Sequence, residues 1–258
     1  MLRYRYLFEQ LVRRELRQKY KGSVLGVLWY LVNPLVLMAV YALMFGVLLR
    51  AVHIADYPLF IFVGLIVWLF FSQALLSACT SLVDQSSLVS KVRFPRETIP
   101  ASVVTVQLVP FLVLLILLSP VVLAVRDSVS PALVLLPALV VCLFAFTLGI
   151  ALILAVLHAY FRDIQPVLAA VLLPLFFVSP IFFRVQSLPG LHAHRWAEPV
   201  LRWVNPLAPF IDATRAVLYD GRAPSAATIG YVVAAAGLAI SVGMSAFRAL
   251  ESELAVVL

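Results

Sequence analysis

The sequence predicts an all-α membrane protein with six transmembrane helices, an N-terminal amphipathic interface helix and short re-entrant helices before the last span. Three observations lead there. First, Gly22 to Leu49 carries no Asp, Glu, Lys, Arg or His and directly follows seven basic residues: Arg3, Arg5, Arg13, Arg14, Arg17, Lys19 and Lys21. Second, Tyr57–Val83, Thr98–Val125, Ser128–Phe161, Ile164–Phe183 and Ala223–Phe247 are also free of Asp, Glu, Lys and Arg, and each reaches the roughly 20 apolar residues that cross a ~30 Å hydrocarbon core. Third, the 258 residues are 64% hydrophobic and 12% charged, with mean hydropathy +1.08, where soluble domains carry about 25% charged residues. In lipid every backbone N–H and C=O must be satisfied internally, and runs this long and continuously apolar fit helices rather than alternating barrel strands.

Residues 1–22 form the interface segment. Plotted at about 100° per residue, Tyr4, Leu7, Phe8, Leu11, Val12 and Leu16 occupy one half, and Arg3, Gln10, Arg13, Arg14 and Arg17 the other. Such a helix lies in the headgroup plane with its apolar side down. Glu15 and Lys19 intrude on the apolar half and, four residues apart, can pair with each other. The helix reads as a plain anchor or as a lever that also contacts a cytoplasmic partner through Arg13, Arg14, Glu15, Arg17 and Lys19. Gly22 is a natural stop before the first span.

By the positive-inside bias the N-terminal cluster stays cytoplasmic, and six spans return the C-terminus to the same side. The inside connections then carry Lys91, Arg93, Arg96, Arg162 and Arg248, and the short outside turns only Arg50 and Arg126. The segment 184–222 holds five Arg and falls outside, against the bias; the placement is kept because the N-terminal cluster usually dominates. The whole chain, residues 1–258, reads as one transmembrane domain.

Two connections stand out. In 84–98, Gln85 to Val92 can form one or two cytoplasmic helical turns, and Phe94 reads as an exposed ring on backbone stiffened by Pro95, between Arg93 and Arg96. Such a knuckle fits a partner's cleft and transmits its motion; a solvated basic loop serving topology is the plainer reading. The segment 184–222 is too long for a turn and too apolar for a solvated loop, with Trp196, Trp203, Phe210 and Ile211 broken by Pro189, Pro199, Pro206 and Pro209. Short amphipathic helices dipping into the outer leaflet, the second closed by Gly221, satisfy that gate-like pattern, with Asp212 and Arg215 pairing at i, i+3; an ordinary folded outside loop is the alternative.

Absences bound the chemistry. No acidic residue lies in the middle of an apolar run, whereas ion-coupled carriers and intramembrane hydrolases keep ionisable groups at depth despite a cost of roughly 2.5–3.5 kcal/mol each. His158, near the inner end of span four, reads as an interfacial or helix-pairing side chain. There is no G-x-x-x-x-G-K-[ST] motif, nor a Gly-Lys dipeptide, so uphill movement needs energy from another polypeptide. Cys79 and Cys142 lack metal-ligand spacing and read as small hydrophobes, so no metal or cofactor is expected on this chain. The formal charge of +7 suits topology and anionic headgroups, and no aromatic-interleaved basic patch points to nucleic acid. Trp29, Tyr30 and Tyr41 in span one and Phe176 and Phe177 in span five form either an interfacial belt with helix packing or a ring-lined channel, with Asn33 and Ser179 as sparse polar groups.

Residues 13–26, RRELRQKYKGSVLG, running into Trp29 and Asn33-Pro34-Leu35, together with Lys91-Val92-Arg93-Phe94-Pro95-Arg96-Glu97 and Pro100, resemble the polysaccharide-exporting membrane subunits of the ATP-binding-cassette type 2 family. Tyr160-Phe161-Arg162-Asp163-Ile164, Asn205-Pro206-Leu207-Ala208-Pro209-Phe210 and the closing Phe247-Arg248 with Glu251 are similar to later signatures of that family. The resemblance implies a homodimer of six-span subunits in the bacterial plasma (inner) membrane, paired with two cytoplasmic ATPase subunits that hold ATP and Mg, and exporting lipid-linked O-antigen, capsule, teichoic acid or related glycans. It further implies ATPase coupling through Lys91, Arg93, Phe94, Pro95, Arg96, Glu97, Arg162 and Asp163. A drug or lipid cargo is the alternative within transport. A membrane-embedded transferase or hydrolase is the alternative outside it, and only His158, Arg162 and Asp163 converge enough to offer one.

Overall fold

The central element of the computed structural model is helix α3 (Tyr57–Asp84), apolar along its whole length. A helix hydrophobic on all sides must be buried on all sides, and 83% of the most apolar window of α3 is enclosed. The structure describes residues 5–20, 29–48, 54–91, 94–126, 130–185 and 197–251, and among these every regular element is a helix. The chain begins with α1 (Arg5–Tyr20). Helix α2 (Trp29–Tyr41) follows, extended by a π-helical stretch, Ala42–Leu48, then α3 and the short α4 (Ser86–Lys91). Next come α5 (Thr98–Arg126), α6 (Leu136–Tyr160) after the 3-10 turn Pro131–Leu135, and α7 (Ile164–Val178). A one-turn α8 (Ala197–Pro199) runs into a second π turn, Val200–Val204, before α9 (Ala208–Leu218) and α10 (Ala226–Leu250).

Among the described residues, five helices are long and apolar enough to cross a membrane: Leu31–Leu48, Tyr57–Asp84, Thr98–Val122, Pro131–Tyr160 and Ala226–Leu250. The stretch expected to supply a further span, Ile164–Phe183, is helical only to Val178. Its 15 residues rise about 22 Å at 1.5 Å each, short of a ~30 Å core. The stop is encoded: Ser179 precedes Pro180, a position that disfavours helical backbone.

Helices α5 and α6 pack on α3, and α10 packs along α6. The α6–α10 crossing is close because two glycines meet there. A Cβ on Gly149 would stand 2.2 Å from the Ala239 carbonyl oxygen, and one on Gly243 2.2 Å from the Gly149 oxygen. Small residues that let backbones approach are a main source of helix association in lipid, where the hydrophobic effect between helices is lost. Gly149→Ala should therefore destabilise by about 1–3 kcal/mol, the usual cost of overpacking. The thermal midpoint of the detergent-solubilised protein checks it, with Gly237→Ala, which meets nothing within 4 Å, as the silent control.

Candidate functional site

At the N-terminal end of α3 the chain runs non-helically from Ser179 to Arg184, and such backbone is tolerated at membrane depth only where protein satisfies its polar groups. Arg215 of α9 supplies that here. It is 3% exposed, donates from Nη1 to Pro180 O at 2.7 Å and from Nη2 to Ile181 O at 3.1 Å and Phe60 O at 3.3 Å, and its Cζ lies 3.6 Å from the Phe60 ring centroid. Gly64 leaves the room: a Cβ there would come within 2.7 Å of Nη2. The expected Asp212 pair exists at 3.9 Å but is the looser contact. Burial pulls the guanidinium pKa down to about 10, opposed by Asp212, and leaves it protonated at neutral pH.

Two further side chains complete the clasp. Tyr57 donates its hydroxyl to Phe182 O at 2.9 Å, and Asn205 Nδ2 donates to Ser179 Oγ at 3.0 Å while its Oδ1 accepts from Leu207 N–H at 3.1 Å. Asn205 thus caps the turn into α9 and ties it to the end of α7. Gly221 takes φ 63°, a left-handed conformation suited to glycine, and Arg222 N–H returns to Ala216 O at 2.9 Å, closing α9. Trp203 packs beside Tyr231, whose hydroxyl donates to Trp203 O at 3.1 Å. Trp196 lies outside the described residues.

At the other end of α3, α1 docks on protein rather than resting on headgroups alone. Gln85 Nε2 donates to Glu15 Oε1 at 2.7 Å. Lys19 Nζ donates to Gln107 Oε1 at 2.6 Å, and Gln107 Nε2 in turn donates to Ser77 Oγ at 2.9 Å. Each of these two residues thus reaches a side-chain amide of a different element, because α5 and the α3–α4 junction present those amides to the apolar half of α1. Burial raises the Glu15 pKa and lowers that of Lys19 to about 8, the latter opposed by Glu15. Arg14 and Arg17 are exposed, and Arg13 pairs with Glu9 at 2.7 Å on the surface, where such pairs contribute about 0.3–0.5 kcal/mol.

The 84–98 connection does not hold an exposed ring. Phe94 is half-buried against the cluster of Leu82, Ile99, Leu152, Ala155, Val156 and Phe247, where the ends of α3, α5, α6 and α10 leave an apolar floor that the ring covers. Pro95 accepts from Thr98 N–H and Oγ1, at 3.1 and 2.7 Å, and so starts α5. Arg96 donates to the Glu251 carbonyl just past α10, and Tyr160 donates to Leu250 O at 2.7 Å. Burial raises the Glu251 carboxyl, with Glu97 adding to the rise. Glu97 is half-buried and Lys91 ends α4; Arg93 lies outside the described residues. Arg162 and Asp163 stand exposed in the tight turn between α6 and α7. His158 is buried with no hydrogen-bond partner at Nδ1.

The aromatic set divides. Phe176 sits inside a cluster with Tyr41, Trp68, Phe177 and Phe182 at centroid distances of 5.1–5.8 Å, and both Phe176 and Ser179 are buried within this subunit. Tyr41 is half-buried, whereas Trp29, Asn33 and Phe177 are exposed. Tyr30 lies in the first turn of α2. Only 6% of the Leu31–Leu48 window is enclosed, and Val167, Val171 and Leu173 of α7 are likewise open.

The reach of Arg215 to three carbonyls, the space left by Gly64 and the tie from Arg96 to Glu251 are long-range features that residue spacing does not display. Against known proteins, the chain is 32% identical to the O-antigen export system permease protein RfbA of Myxococcus xanthus over 255 residues, covering 99% of this chain and 96% of that protein. It is 30% identical to a Klebsiella pneumoniae protein of the same name over 84% of this chain and 82% of that one. Identity to the polysialic acid transport protein KpsM of Escherichia coli is 25%, over 95% and 94%. Residues 6–219 match the family described as ABC-2 type transporter. With a multi-pass helical architecture and relatives matched along nearly their full length, the chain belongs to the ABC-2 type transporter family.

Proposed function

We propose that this chain is the transmembrane subunit of an ATP-driven exporter of a lipid-linked polysaccharide, that it acts as a homodimer, and that two copies of a separate cytoplasmic ATPase hold the ATP and Mg. The observation that carries the reading is the near full-length similarity to O-antigen export permeases. In this reading the domain is single, residues 84–98 receive the motor, and 184–222 form a gate on the far side. The geometry supports such a division of labour. Arg96 and Tyr160 fasten the connection and the α6 end to the C-terminal end of α10, so a push on Phe94 reaches the last span directly. The open face of α2 and the exposed Phe177, Trp29 and Asn33 suit a second copy across a conduit, with ring faces offered to sugar C–H groups; Tyr30 and Tyr41 sit on the same helix. Both termini then lie in the cytoplasm of a bacterium and the protein in its plasma membrane.

The reading is tested by purifying the tagged chain from cells that express its neighbouring ATPase, with cysteines introduced singly at exposed Ser87 and Ala223. The expected result is equal amounts of the two subunits, labelling at Ala223→Cys in intact cells and at Ser87→Cys only after permeabilisation. A chain that purifies without the ATPase, or with reversed labelling, overturns it.

A further inference from the structure

Between α9 and the start of α10 lies a polar cavity of about 200 Å³, on the face of the molecule opposite α1. Arg184, Arg202, Arg215 and Arg222 line it with Asp212 and Asp220, so four guanidinium groups meet two carboxylates. Asp220 is shared, 2.6 Å from Arg184 Nη2 and 3.3 Å from Arg222 Nη2, while Asp212 stands 3.9 Å from Arg215 Nη1. Arg202 stacks on Trp203 at 5.1 Å from the ring centroid. The cluster therefore keeps an excess of two positive charges after its internal pairing. Burial raises the Asp212 carboxyl pKa, opposed by Arg215, Arg202 and Arg184.

A second, independent observation points to a ligand. Arg215 Nε is buried and has no hydrogen-bond partner, although both Nη atoms of the same side chain donate to carbonyls. An orphaned charged donor in such a place is costly unless something accepts from it. The N-terminus of α10, a helix of 25 residues, also lines the cavity through Ser225 and Thr228, and Ser225 Oγ accepts Thr228 N–H at 3.2 Å. Arg guanidinium forks and helix N-termini share one preferred guest, a tetrahedral oxyanion with several acceptor oxygens.

We propose that this cavity binds a phosphate group, presented by a phospholipid headgroup or as free phosphate, at the end of the molecule remote from α1. It accounts for a cluster of Arg where topology alone disfavours them. It goes beyond the export reading and does not rest on it, since binding is read without ATP or glycan.

The test uses the full chain with its ATPase, delipidated in neutral detergent. Phosphatidic acid, diacylglycerol of the same acyl chains and inorganic phosphate are titrated in turn. Arg202→Gln/Arg222→Gln removes two guanidinium groups that take no part in the carbonyl clasp, and Arg202→Gln alone serves if the pair unfolds on size exclusion. Phosphatidic acid should bind saturably at one site per chain and diacylglycerol should not, with affinity falling at least about tenfold in the double variant, the loss of about 1.4 kcal/mol. Saturable inorganic phosphate without phosphatidic acid assigns the site to free phosphate, and competition between them assigns it to both. The proposal is overturned if neither phosphate source binds saturably, if diacylglycerol binds as well as phosphatidic acid, or if the folded variant binds with parental affinity.

Discussion

Arg215→Ala should unfold the far end of the protein. The change strands the carbonyls of Pro180, Ile181 and Phe60 in a site closed to water and removes the charge beside Asp212. Removing one partner of a buried charged network costs about 3–5 kcal/mol, a large share of the 5–15 kcal/mol typical of a folded domain. At roughly 2–4 °C per kcal/mol for a chain of this size, the melting midpoint should fall on the order of 10 °C or the protein should fail to accumulate. Arg215→Lys keeps the charge but not the planar fork that reaches three carbonyls at once, so it should recover only part of the loss. The comparison separates charge from geometry. An Arg215→Ala protein that melts with the parent would show that the clasp contributes nothing.

Replacing Phe94 and Arg96 together with Ala should separate ATP hydrolysis from export. Phe94 bridges the ends of α3, α5, α6 and α10, and Arg96 holds the carbonyl just past α10. If motion of a bound ATPase reaches the spans here, the double change removes a coupling energy of about 1–3 kcal/mol, equivalent to 5–150-fold. Export per ATP hydrolysed is expected to drop within that range, or the ATPase to dissociate. Each single change should do less, and because both side chains engage the C-terminal end of α10 the effects should not simply add. Parental export by the double variant, with its ATPase bound, would remove the loop from the coupling path.

The long elements are legible because charge is excluded from a hydrocarbon interior: the uncharged runs locate α3, α5, α10 and the Pro131–Tyr160 span formed by α6 with its 3-10 turn to within a few residues. The early end of α7 was less so, though Ser179-Pro180 carried the signal. Asp212–Arg215 could be read from helical spacing, but Arg215 mainly serves carbonyls 34 and 35 residues upstream and on α3, partners that only the fold brings near. Phe94 reads in sequence as an exposed ring because a Pro-stiffened loop does not show its floor, which four separate helices supply. Glu15 and Lys19 lie a helical turn apart, and nothing local reveals that Gln85 and Gln107 would meet them. Four of the five Arg of 184–222 gather around Asp212 and Asp220, a grouping that lies in space and not in residue spacing.

The most direct measurement reconstitutes the chain and its ATPase in liposomes, adds a lipid-linked O-antigen-type glycan on the ATPase side, and follows its arrival on the other side with a glycosidase trapped there. Arrival that needs ATP and both subunits is the predicted result. Arrival without ATP or without this chain, or none at all while the assembled complex hydrolyses ATP, would contradict it.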